Sequence, residues 1–386
     1  MRLLLILILS LSFQVSAGVL KPLSGHFKTV GEVASFQWAP ARYQSDFTYD
    51  ILYYIPESLR NKNSVKSLIF MHGGGASTST RQGSLNVASS YMQGTLVRLA
   101  NELQMAVVVP SAAGLNWGGH TIGMIRDLTR LLRSEVSVDH NNIGLSGHSM
   151  GGMGIGRSFP FLADEFAYFL PMAAGIDEKI QHEDHLNKVF NVPYVHLQGL
   201  KDHFTIFKDR CEEQKKRTSA LEIKYGRKSL LEVIYYEGAH NHDYNLMKST
   251  IVRLQKSPRN LYQDTLYGSL QHNDNFYTEN NIRFHQGSFP RYFWIKFIES
   301  SGSRERLDFT ASIKNNIVRV NFKQSPKSIK RVRIYLSKKL INPDKEMKIV
   351  VNDKLVETRM LQHYPRVDKV DRGYLFDDYI DLVFKN

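Results

Sequence analysis

The pentapeptide Gly147-His148-Ser149-Met150-Gly151 is the part of this sequence best suited to chemistry. A Gly-x-Ser-x-Gly run describes a sharp turn from a strand into a helix, which forces the serine into a strained backbone and lifts its hydroxyl clear. The flanking glycines are needed because a side chain there would meet the neighbouring backbone. The apolar run Ile143-Gly144-Leu145 precedes the turn, and Met153 to Phe161 can start a helix after it. A serine hydroxyl is a weak nucleophile at neutral pH and needs a general base, usually histidine. His240 stands directly after the apolar run Leu231 to Tyr236, preceded by the small residues Gly238 and Ala239, and is preferred to His242. The base needs a carboxylate to hold its tautomer and stabilise the imidazolium. Asp202, after the run Tyr194 to Leu197, fills that place, with Asp177 and Asp209 as alternatives. His148 adjoins Ser149, but the turn should point its side chain elsewhere.

Acyl transfer also develops negative charge on a carbonyl oxygen, which preorganised backbone N–H groups stabilise. His72-Gly73-Gly74-Gly75 follows the apolar run Leu68 to Met71, and its glycines allow close approach of backbone to substrate. Gly73 or Gly74 is expected to supply one donor and Met150, the residue after the serine, the other. His72 reads as a structural residue.

These residues need a scaffold that gathers them. Between about residues 30 and 250, strand-like runs (Phe47 to Ile55, Ser67 to Met71, Met105 to Val109, Asn142 to Leu145, Phe166 to Met172, Tyr194 to Leu197, Leu231 to Tyr236) alternate with helix-like runs (Leu85 to Leu103, Ile122 to Leu132). Apolar strands alternating with amphipathic helices predict an α/β fold, a parallel-rich sheet covered on both faces. His72, Ser149, Asp202 and His240 each fall just past a strand, and reactive groups gather at that carboxyl edge. Residues 18–255 are read as this domain and 256–290, polar and rich in Asn, as a linker or covering loop. In residues 291–386, short strand-like runs (Tyr292 to Ile298, Arg306 to Ile313, Ile317 to Phe322, Val332 to Leu336, Met347 to Val351, Tyr379 to Phe384) separated by tight turns predict a smaller β-sandwich-like domain. Consecutive Tyr292, Phe293 and Trp294 alternate faces in a strand, so they cannot form one binding platform, and a structural role is preferred there to polymer binding.

Residues 1–17 read as a signal peptide: Arg2 gives the positive start, Leu3 to Leu11 the apolar stretch, and Val15-Ser16-Ala17 the cleavage site. The apolar stretch is too short for a stable membrane anchor, so the mature chain is expected to be secreted or periplasmic. The 386-residue chain carries a net charge of +13, with 42% hydrophobic and 23% charged residues, which excludes disorder as the default. A basic surface suits contact with envelope or acidic polymers, but the charges are scattered and no specific nucleic-acid motif is present. Cys211, the one cysteine, sits in a charged helix-like stretch and reads as structural filler. His182 and His185 could share a helical face as metal ligands, but a solvated helix is the preferred reading; no metal or cofactor is expected.

With these residues in place, the sequence resembles the α/β-hydrolase superfamily. More narrowly it is similar to the secreted esterases grouped with polyhydroxybutyrate depolymerases, feruloyl esterases and dienelactone-hydrolase-like proteins. The resemblance spans about residues 45 to 250. It rests on Phe70 to Gly75, Gly114-Leu115-Asn116-Trp117-Gly118, Ile143 to Gly152, Gly199 to Asp202, and Gly238-Ala239-His240. Members often carry a hydrophobic-Pro pair after the acid, whereas Phe204-Thr205-Ile206-Phe207 here has no proline. Relatives with a C-terminal β-rich extension are similar in layout. The resemblance implies hydrolysis of small-molecule or polymeric carboxylic esters through an acyl-enzyme, without a metal. A serine peptidase of the same fold and a non-catalytic binding protein that retains the fold are the alternatives.

Overall fold

The computed structural model describes residues 25–39, 48–175, 186–260, 262–273, 276–279, 282–285, 291–300, 304–323, 329–361 and 377–384. Residues 1–17, expected as a signal peptide, and Asp177, His182 and His185 lie outside these residues. Eight strands form one mixed sheet: β1 (Ala34–Trp38), β2 (Tyr49–Tyr54), β3 (Val65–Met71), β4 (Met105–Pro110), β5 (Val138–His148), β6 (Tyr168–Met172), β7 (Tyr194–Gly199) and β8 (Leu231–Tyr236). Their order is β1-β2-β4-β3-β5-β6-β7-β8. The first two strands run antiparallel to their neighbours, and β4 through β8 are parallel.

Helices cover both faces, which explains the nearly unbroken apolar runs of the central strands. On β3, Leu68 and Phe70 point into one core and Ile69 and Met71 into the other. The first core holds residues of α1 (Arg81–Tyr91), α2 (Val97–Leu103) and α6 (Tyr244–Leu254), among them Ala88, Leu99, Met247 and Ile251. The second takes Ile125 and Leu128 from α3 (Gly119–Glu135), Ile155 and Phe159 from α4 (Met150–Leu162), and Leu221 from α5 (Thr205–Tyr225). The single helical run expected over Leu85 to Leu103 is two α-helices joined by a π-helical turn, Met92–Leu96. Such turns often mark functional positions, and this one follows Tyr91 and contains Thr95, two residues that reach the site described below.

The C-terminal region holds a four-stranded sheet, β12-β13-β16-β19, and a five-stranded sheet, β18-β17-β15-β14-β9. The first consists of β12 (Arg291–Tyr292), β13 (Ile295–Ser300), β16 (Ile329–Leu336) and β19 (Asp378–Val383). The second consists of β9 (Thr265–Asn273), β14 (Arg304–Lys314), β15 (Ile317–Phe322), β17 (Met347–Val351) and β18 (Lys354–Arg359). A separate hairpin joins β10 (Phe276–Glu279) to β11 (Ile282–His285).

Two expectations need correction here. The segment 256–290, expected as a linker or covering loop, contributes β9, which pairs with β14 over its whole length. Its alternation is hidden by Gly268, where a side chain would collide with the Tyr292 ring, the ideal Cβ lying 2.4 Å from Tyr292 Cδ1. The strand expected over Tyr292 to Ile298 is instead a hairpin, with Tyr292 opposite Ile295 and Phe293-Trp294 as its two-residue turn. Phe293 adopts a positive φ of 48°, which a bulky residue tolerates only when tertiary contacts impose it. Those contacts come from Asp164, just past α4, and from Gln263, just before β9. The Phe293 N–H donates to Asp164 Oδ2 (3.2 Å), and Trp294 Nε1 donates to Gln263 O (3.0 Å). Tyr292, Phe293 and Trp294 are all buried, which accords with a structural role and leaves no aromatic platform there. Asn191 completes the seam, donating to Thr265 O (2.7 Å) and accepting from the Tyr267 N–H (2.9 Å).

Candidate active site

Strand β5 ends at His148, and α4 begins at Met150, so Ser149 alone makes the turn. Its φ of 53° and ψ of −118° lie in a region that side chains rarely adopt, and such strain persists only when the surroundings over-determine it. The surroundings here are backbone. The Ser149 N–H donates to Met172 O (2.8 Å), and its carbonyl accepts from the Met153 N–H (2.9 Å). A Cβ on Gly151 would lie 2.0 Å from Met71 O, and one on Gly147 would lie 2.8 Å from the same oxygen. Glycine at these two positions is therefore required by the approach of α4 to the end of β3.

Ser149, His240 and Asp202 come from the ends of β5, β8 and β7 and meet above the carboxyl edge of the sheet. Ser149 Oγ lies 2.8 Å from His240 Nε2, and His240 Nδ1 lies 2.9 Å from Asp202 Oδ2. The Asp202 side chain is buried and also accepts from Gln198 Nε2 (3.0 Å) and the Phe204 N–H (2.9 Å). Burial opposes its charge, but the hydrogen bonds from His240, the Phe204 N–H and Gln198 outweigh it and hold the carboxyl below its ordinary value. An ionised carboxylate only accepts, so Nδ1 of His240 carries the ring proton and Nε2 is left to accept from the serine hydroxyl. The alternative acid Asp209 lies exposed on α5.

His242 stands apart from Ser149, with its Nε2 3.0 Å from Thr95 Oγ1. His148 is turned away from the serine, as expected, yet it is not remote from the site. Its Nδ1 lies 2.7 Å from Tyr91 Oη, and its ring centroid lies 5.2 Å from that of His240. Burial, with smaller contributions from His242 and His240, lowers His148 to about 3, so it is neutral at physiological pH. Tyr91 Oη also packs against Gly73, while burial raises its phenol to about 12. This bracing of the glycine loop was not readable from sequence, since Tyr91 and His148 are 57 positions apart.

Gly73 and Gly74 both lie against the site. A Cβ on Gly73 would lie 2.8 Å from Tyr91 Oη, and one on Gly74 2.8 Å from Met150 Cε. His72 faces the sheet interior instead: its Nε2 accepts from the Ala112 N–H (2.9 Å), and its Nδ1 lies 2.6 Å from Gly73 O. A carbonyl only accepts and an N–H only donates, so His72 is a neutral imidazole with its proton on Nδ1. Burial lowers it to about 4, which fits its structural reading. Cys211 is buried beside His196 (Sγ to Nδ1, 3.5 Å), and burial pushes its thiol up, so it is no ready nucleophile. Among the described residues no three His, Cys, Asp or Glu side chains are placed to share a metal ion, and no helix is long and apolar enough to cross a membrane.

No protein-family model and no curated protein matches the sequence. Among solved structures, the chain is similar to a thermostable esterase, at 15% identity and a TM-score of 0.46. That match covers 59% of this chain and 63% of the esterase, less than two thirds of its length. It is also similar to the fluorophosphonate-binding serine hydrolase F of Staphylococcus aureus (15% identity, TM-score 0.44, covering 59% of this chain and 99% of that one). A third is the poly(3-hydroxybutyrate) depolymerase of Bordetella parapertussis (14% identity, TM-score 0.44, covering 58% of this chain and 94% of that one). The fold itself rests on the geometry above. With the strand order 1-2-4-3-5-6-7-8, helices on both faces and a strained serine at the turn from β5 into α4, the chain has the α/β-hydrolase fold.

Proposed function

We propose that this chain is a secreted serine hydrolase that cleaves carboxylic esters through an acyl-enzyme intermediate. The observation that carries the reading is the hydrogen-bonded line from Ser149 Oγ through both nitrogens of His240 to Asp202. In this reading Ser149 Oγ attacks the ester carbonyl carbon while its proton passes to His240 Nε2. The charge that forms on the carbonyl oxygen is held by backbone N–H groups. The N–H of Gly73 or Gly74 is one donor and the Met150 N–H the second. Collapse expels the alcohol, which takes the proton back from His240. A water then attacks the acyl-enzyme with the same proton relay, releasing the acid and restoring Ser149. Asp202 stays ionised and stabilises the imidazolium that forms in each half-reaction. Export rests on the composition of residues 1–17, and the excess of basic residues suits work near an anionic envelope or polymer.

Parallel assays of p-nitrophenyl acetate and a set of peptide p-nitroanilides test the reaction class. Hydrolysis of the ester with at least about a thousandfold lower kcat/KM on the anilides is expected. Faster cleavage of the anilides would make the chain a peptidase, and a folded protein inert on both sets would reduce it to a binding protein.

A further inference from the structure

The surface next to His240 carries exposed His203, 5.5 Å from the His240 ring, and against His203, at 4.0 Å, an apolar ring that solvent would not favour, Phe204. Among the described side chains Phe204 is the one exposed phenylalanine, with 45% of its surface accessible. Its ring stands edge-on to His240 at 4.7 Å between centroids, and it is supported from behind by buried Phe207 at 5.5 Å. Its backbone is fixed by the bond from its N–H to Asp202 Oδ1. Ile206, on the first turn of α5, and Leu200, just past β7, are also exposed (48% and 41%). Three of the large exposed apolar residues thus fall within seven positions of chain around the carboxylate. Clustered exposed apolar surface beside a reactive group marks a place where a ligand is received.

The chemistry says which part of the substrate lies there. His240 Nε2 has to deliver a proton to the oxygen of the departing alcohol, so the alcohol, rather than the acyl chain, must lie beside the His240 ring. We propose that Phe204 forms a leaving-group subsite that selects esters of apolar alcohols, alkyl or aryl, over esters of sugars or charged alcohols. This inference rests on the esterase reading above and goes further by naming the alcohol class. Lys201 and Glu237, which follow β7 and β8, pair with each other at 3.1 Å.

Two ester series, followed by acid release at constant pH, test it. The first keeps the acetyl group and varies the alcohol through ethyl, butyl, hexyl and benzyl; the second keeps ethanol and varies the acid from acetate to hexanoate. A methylene placed on a half-exposed wall should raise kcat/KM roughly twofold, about fifteenfold from ethyl to hexyl acetate. Phe204→Ala should flatten the alcohol series to less than about threefold, Phe204→Leu should restore most of the slope, and the acid series should keep its slope in both variants. A flat alcohol series in the wild-type enzyme, with ethyl acetate still cleaved, would overturn the subsite and leave the esterase reading standing. Loss of both slopes alike in Phe204→Ala would also overturn it, by reducing Phe204 to a support for His240. A wild-type protein that cleaved none of the esters would remove the esterase reading, and the subsite with it.

Discussion

His240→Ala is expected to lower kcat/KM on p-nitrophenyl acetate by about ten-thousandfold or more, roughly 5 kcal/mol or more of transition-state stabilisation. Without the imidazole, Ser149 has no acceptor for its proton, and the departing alcohol has no donor. His242→Ala, two positions away, should cost less than about tenfold, because His242 Nε2 bonds to Thr95 and not to the serine. The pair separates a specific base from general histidine content near the site. Steady-state kinetics on both variants, with circular dichroism to establish that each is folded, decides the matter. Equal losses in the two variants would mean that the two rings act as a structural cluster, and a mild loss in His240→Ala would remove it as the base.

Acid should unfold the protein earlier than its carboxylates alone would require. Three histidines are buried as neutral rings: His72 is lowered to about 4, His148 to about 3 and His196 to about 3, in each case mainly by burial. In the unfolded chain each titrates near about 6.5. Between those values the unfolded state binds protons that the folded state refuses, so stability rises with pH there and is lost as pH falls below about 6.5. Three such groups give a limiting slope of about three protons, roughly 4 kcal/mol per pH unit. Against a typical stability of about 5–15 kcal/mol, this places unfolding near about pH 4 to 5. Asp202 works in the same direction at lower pH, since its depressed value stabilises the fold above the ordinary carboxyl range and that contribution is lost on further acidification. Urea unfolding from pH 7 to 4.5 measures the slope, and His196→Gln, remote from the chemistry, should reduce it by about one proton. A stability that stayed constant from pH 6.5 to 4.5 would contradict the burial of these rings.

How much of this was legible beforehand depended on whether a signal is local. The serine turn is local: glycines at 147, 151 and 152, an apolar run before and a helix-compatible run after describe one short piece of backbone. The strands β2 to β8 of the first sheet were legible for the same reason, being continuous apolar runs, whereas β1, alternately exposed at the edge, was not. Asp202 and His240 required only their placement after such runs. The packing of the glycine loop was not legible, because the hydroxyl that lies against Gly73 comes from a tyrosine on a distant helix. The hairpin at Phe293-Trp294 was hidden because its turn is imposed by contacts with Asp164 and Gln263 and carries none of the usual turn residues. Strand β9 was hidden by a glycine whose place only the Tyr292 ring explains. The apolar wall at Phe204 lay in the very stretch where the expected proline is missing, and only its exposure and its contact with His240 give it meaning.

Reaction with a tagged fluorophosphonate, followed by fragment mass spectrometry, tests the role of Ser149 most directly. A serine activated by a neutral histidine attacks phosphorus and expels fluoride, leaving a stable covalent ester on Oγ. The expected result is a single adduct on the tryptic peptide 134–157, located at Ser149 rather than at Ser134, Ser137 or Ser146, and lost in Ser149→Ala. A folded protein that takes no label, or a Ser149→Ala variant labelled as fully as the wild type, would contradict it.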